Sequence, residues 1–61
     1  MNTGRIKQIM KEKGITQVDL AKATGTSQAF ISYCLDGLKV PSLGVFKVIA
    51  QTLGCSADEI L

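Results

Sequence analysis

Glycines at positions 14, 25, 37 and 54 cut the 61-residue chain into short pieces, each with its own apolar period. A chain punctuated so often builds neither a long helix nor a wide sheet. A helix shorter than ~12–15 residues is marginal alone in water, so the pieces have to pack on one another. One small domain is the ceiling for this length, and its core has to be efficient.

Ile6, Ile9 and Met10 in TGRIKQIMKEK (3–13) fall at i, i+3, i+4, one face of a helix. Asn2 or Thr3 is the expected N-cap and Gly14 the stop. Thr16 starts a second helix, with Asp19 as the acidic member of a capping box. Val18, Leu20 and Ala21 are its expected apolar side, and Gly25 ends it. A third helix over 27–36 is capped by Thr26 or Ser27. Its Ile31, Cys34 and Leu35 turn inward, leaving Gln28, Ala29, Ser32 and Tyr33 on the other side. Pro41 bars helix at Val40, and Ser42 caps a fourth helix. There Leu43, Phe46, Ile49, Ala50 and Leu53 form the strongest periodicity of the chain. Ser56 and Glu59 make an S-x-x-E box that predicts a last helical turn ending at Ile60 and Leu61. No period-2 run signals a strand. The expected fold class is all-α, a compact domain of five short helices spanning residues 1–61.

Composition removes several function classes. With no His and two distant cysteines, no zinc site is expected. Cys34 and Cys55 occupy apolar-face positions and are read as reduced core thiols of a cytoplasmic protein. The most apolar stretch, LGVFKVIAQTLGC (43–55), is broken by Lys47 and Gln51 and is too short for a membrane span. The chain has no paired carboxylates on one face, no activated Ser or Cys and no phosphate-cradling glycine loop. An enzyme, a cofactor and a small-molecule substrate are therefore not expected. All 7 basic residues lie within 1–47, against Glu12, Asp19 and Asp36, whereas 48–61 hold only Asp58 and Glu59. That asymmetry suits an anionic partner on one side.

Two short helices joined through a glycine, at 17–24 and 27–36, make a helix-turn-helix pattern. Ala21 is small where the two helices cross, and Gly25 supplies a turn that a side chain would oppose. The run TQVDLAKATGTSQAFIS, then PS, an apolar helix and LGCSADEIL, closely resembles the Cro/C1-type helix-turn-helix family (lambda-repressor-like). The TQ, LA, G, S, IS, G, PS, IA and L positions all fall in register, over residues 5–61.

This resemblance implies a five-helix lambda-repressor-like domain that binds a double-stranded DNA operator and regulates transcription, first of all as a repressor. Residues 27–36 would enter the major groove, with Gln28, Ala29, Ser32, Tyr33 and Ser27 toward the bases. Gln28 would meet an adenine edge, braced by Gln17, which itself touches a phosphate. Further phosphate contacts would come from Thr16, Lys39, Ser42, Arg5 and Lys22. Lys11, Lys13 and Lys47 are read as solvated surface charges. The expected assembly is a homodimer, at least on DNA, on half-sites about 34 Å apart. The alternative is a protein-interaction module of the antitoxin type, keeping the fold without specific DNA reading.

Three departures from the family pattern stand out. Met10 and Leu35 stand where many members carry a buried Arg–Glu pair, and the two are expected to touch. Asp36 is acidic where several members carry a neutral or basic residue near the DNA backbone. Phe30 and Leu38 are apolar at usually polar positions, and partial burial is expected for both.

Overall fold

Each helix begins on a side-chain cap, and these local signals set the boundaries seen in the computed structural model, which describes residues 1–61. Helix α1 spans Thr3–Lys13, α2 Gln17–Thr24, α3 Gln28–Leu35 and α4 Leu43–Leu53. The side chains of Asn2, Thr16, Ser27 and Ser42 accept from the N–H groups of Arg5, Asp19, Phe30 and Val45 at 3.0 to 3.2 Å. Each thereby satisfies one of the free donors at its helix start. The helix ends also share one construction. Ile15, Thr26, Leu38 and Cys55 donate backbone N–H bonds to Met10, Ala21, Tyr33 and Ala50 at 2.9 to 3.1 Å. These are the long return bonds of Schellman reversals.

The capping box at α2 is complete, with the Thr16 N–H donating to Asp19 Oδ2 at 2.8 Å. The backbone bond and the Thr16 hydroxyl hold the Asp19 carboxyl below its ordinary value; slight desolvation opposes them, and Lys22 adds a smaller downward pull. A depressed carboxyl stabilises the fold above its unfolded pKa of about 3.9. That contribution is lost as pH falls through the lower, folded value. Thr16→Ala is expected to cost ~0.5–2 kcal/mol near neutral pH. It should also flatten the acid limb of a thermal-unfolding series between about pH 2 and 6. The backbone bond from residue 16 survives the change, so only the hydroxyl's share is removed; an acid limb as steep as wild type would show that the Thr16 hydroxyl does not contribute to the Asp19 titration.

The fifth predicted helix is a single 3₁₀ turn, Ala57–Ile60, so the fold has four α-helices rather than five. Ser56 makes no side-chain cap. The Glu59 carboxylate lies instead 3.6 Å from the Arg5 guanidinium. Four residues are too few for an α-helix to sustain itself, and the tighter i+3 bond, Glu59 N–H to Ser56 O at 3.1 Å, takes over. Tertiary contacts hold the turn: Ile60 is fully buried, and its carbonyl accepts from the Asn2 N–H at 2.8 Å.

Helix α2 packs on α3 and α4, and α1 on α3, α4 and the terminal turn. One apolar cluster results, from Ile6, Ile9 and Met10 of α1, Leu20 and Ala21 of α2, Ile31 and Leu35 of α3, Phe46, Ile49, Ala50 and Leu53 of α4, and Ile60. No polar or charged side chain is buried. Met10 and Leu35 thus sit in one apolar core, at the positions where the family pattern often has an ion pair. Cys34 is buried and Cys55 packs half-buried against the cluster, both as free thiols. Burial pushes the Cys34 thiol up, with Lys39 pulling weakly the other way.

Four expectations are corrected. Val18 is 40% exposed, because two residues on a helix are about 200° apart and it cannot share a face with Leu20. Leu43 lies on the Phe46 side of α4 but at its first residue, ahead of the packed turns, and is exposed. Leu38 is 72% exposed, although Ile15 and Cys55, at the matching positions beyond α1 and α4, pack on the core. Lys13 is not simply solvated. Its Nζ donates to the Leu53 carbonyl at 2.6 Å, capping the negative end of α4 from α1.

Candidate nucleic-acid interface

The α2–α3 pair is joined by three residues, and its angle is fixed by backbone and hydroxyl bonds. Gly25 takes φ +69°, a conformation that opposes any Cβ. Thr26 does not cap α3. Its N–H returns to the Ala21 carbonyl at 3.0 Å, and its hydroxyl lies 2.8 Å from that of Thr24. Thr24 Oγ1 donates in turn to the Leu20 carbonyl at 2.7 Å. The threonine pair locks the turn, a role the sequence pattern did not disclose. Two hydroxyls flanking a glycine after a short helix were its only signal.

With the turn fixed and Ile31, Cys34 and Leu35 buried, the opposite face of α3 is defined. Gln28, Ala29 and Tyr33 are exposed, Ser32 is half-buried, and Phe30 packs partly against the core as expected. No hydrogen bond engages the Gln28 or Gln17 side chain, and none joins them. Both amides are therefore unengaged, Gln28 fully exposed and Gln17 half-buried. Ser27, Thr16 and Ser42 use a hydroxyl lone pair to cap their helices. A hydroxyl also carries a donor hydrogen, and capping leaves that hydrogen free. Around each cap, the first N–H groups of the helix point outward without internal partners, as anion-binding helix starts do.

The candidate cations fall into two groups. Arg5 is engaged, donating to Gln8 Oε1 at 3.2 Å and facing Glu59 in the sole ion pair of the protein. Lys22 and Lys39 are exposed and unpaired. Lys39 places its ammonium 5.8 Å from the centre of the Tyr33 ring. Asp36 is the C-cap of α3, exposed and without an ionic partner.

A family model described as "Helix-turn-helix" matches residues 6–60, from the first core residue of α1 to the last of the terminal turn. The chain belongs to the Cro/C1-type helix-turn-helix family. It is 38% identical over 56 residues to a Bacillus subtilis (strain 168) protein described as "Uncharacterized HTH-type transcriptional regulator YazB". The match covers 92% of this chain and 81% of that one. No solved structure matches significantly. Within this family member the second distinctive surface is apolar. Val40, Pro41, Leu43, Phe46, Met1 and Leu61 line an open groove of about 260 Å³ beside the start of α4. No helix is long and apolar enough to cross a membrane.

Proposed function

We propose that the chain is a sequence-specific double-stranded-DNA-binding transcriptional regulator, most simply a repressor, that reads the major groove with α3. The observation that carries this is the outward face of α3. Gln28, Ala29, Ser32 and Tyr33 form a neutral, hydrogen-bonding and methyl-bearing strip on a helix whose other side is anchored in the core. Gln28 suits an adenine edge and Ala29 a thymine methyl. Ser27 and the free N–H groups at the starts of α2, α3 and α4 suit phosphate oxygens. Thr16, Gln17 and Ser42 join them, and Lys22 and Lys39 add the sequence-blind attraction. Arg5 contributes only if it leaves Glu59.

Asp36 fits this reading better than its sign implies. It is eight residues beyond Gln28, about 12 Å along the helix axis. At ~0.1 M salt that exceeds the screening length of about 10 Å. Its repulsion is therefore weakest at Gln28 and Ala29 and falls on the C-terminal end of α3, where the Lys39 cation offsets it.

Dimerisation on DNA is part of the proposal, and the exposed groove at Val40, Leu43 and Leu61 supports it as a surface that a second copy covers. The same groove supports the competing reading, an antitoxin-type interaction module without specific DNA reading. A salt titration against a random duplex library separates them. DNA binding by two copies with at least Lys39 on phosphate is expected to give a log–log slope of about −2 or steeper. No duplex binding at low salt would remove the DNA reading and leave the interaction module.

A further inference from the structure

We propose that Tyr33 is a positioning residue for a phosphate clamp: its ring and its carbonyl together hold Lys39 at the C-terminal end of α3. The proposal rests on the DNA-binding reading above and gives Tyr33 a task other than reading a base. Three observations place Lys39 on Tyr33. The Lys39 N–H donates to the Tyr33 carbonyl at 3.3 Å, sharing it with the Leu38 N–H at 2.9 Å. The Lys39 ammonium stands 5.8 Å from the Tyr33 ring centre. Asp36, three residues before Lys39 in the chain, makes no ion pair with it, the only pair being Arg5–Glu59.

A ring face attracts a cation through its quadrupole and takes none of its hydrogen-bond donors. The three ammonium N–H groups of Lys39 stay available for phosphate oxygens. A lysine on a free stem loses rotamer freedom when it is fixed on a phosphate, and one already resting on a ring loses less. The reversal at Gly37, φ +75°, sends the chain back over the last turn and brings the two side chains together. Tyr33 is 46% exposed, so its ring is open on the side away from the core.

The test joins an NMR measurement on the free protein to a double-variant cycle on a generic duplex. Upfield ring-current shifts of the Lys39 ε-protons are expected in the wild type and Y33F, and random-coil values in Y33L. On duplex, Y33L is expected to bind about two- to fivefold more weakly than wild type, and Y33F, which keeps the ring, to lose less than Y33L. Lys39→Ala should cost less in the Y33L background than in the wild type. An equal Lys39→Ala penalty in both backgrounds overturns the proposal. So does a Y33F loss as large as that of Y33L, which would assign the hydroxyl. If Y33L does not fold, random-coil Lys39 shifts in the wild type overturn it and upfield shifts support it. If no duplex binds, the DNA reading fails and the clamp with it, while the Lys39 shifts still report whether the stack exists.

Discussion

Leu35→Glu is expected to destabilise the protein by ~3–5 kcal/mol, the cost of a buried charge without a partner. Leu35 is 4% exposed in the last turn of α3, inside a core that contains no polar or charged side chain. A carboxylate placed there finds no cation and no hydrogen-bond donor. It either stays ionised in an apolar environment or takes up a proton. The variant should therefore recover stability in acid, where the carboxyl is neutral, because its folded pKa is raised. For a domain of this size, ~1 kcal/mol moves the melting temperature by roughly 4–8 °C, so the drop should be on the order of 15 °C or more. Small domains have little stability to lose. A melting temperature unchanged from wild type would place position 35 outside the core.

The same substitution tests the expected neighbour relation of Met10 and Leu35, which share one buried cluster. Installing Arg at position 10 together with Glu at position 35 rebuilds the ion pair common in the family. If the two side chains touch, the double variant should be clearly more stable than Leu35→Glu alone. If it is no better, the two positions do not meet, and the apolar exchange was two independent changes.

What the sequence disclosed, and what it hid, divides along physical lines. Local signals were legible because they act within a few residues. The caps at Thr16, Ser27 and Ser42 and the stops at Gly14, Gly25 and Gly54 need only the backbone beside them. The inward face of α3 was legible for the same reason, since Ile31, Cys34 and Leu35 repeat at the helical period. Contacts between distant segments were not. Nothing in the pattern ties Lys13 to the end of α4, forty residues on. Nor does it turn Glu59 toward Arg5 in place of capping its own turn. Exposure of Leu38 and Leu43 was hidden because a period gives a direction, and burial also needs a neighbour in that direction. For the candidate site, the chemistry of α3 could be read from residue types. The settings of Thr24–Thr26 and of Lys39 on Tyr33 depend on how two reversals fold back, which no periodicity encodes.

Gln28→Ala is expected to change which sequence the protein prefers and to leave its general affinity for duplex almost intact. Gln28 is the first residue of α3 and exposed, and its side chain makes no hydrogen bond to the rest of the protein. Its removal leaves the helix cap in place, because Ser27 and not Gln28 accepts from the Phe30 N–H. Folding should therefore survive, and a melting curve near wild type is the first check. A glutamine amide spans the adenine edge with one donor and one acceptor, and losing such a pair relaxes discrimination by ~1–3 kcal/mol at one base pair. Operator selection on wild type and variant should show this as information lost at a single position of each half-site. Lys39→Ala gives the contrasting outcome, weakening all sequences alike and reducing the salt slope by about 1 per site. An unchanged preference in Gln28→Ala, with Lys39→Ala behaving as described, would keep DNA binding and remove Gln28 from base reading. The exposed Ala29 and the half-buried Ser32 would then be left to carry the specificity of α3.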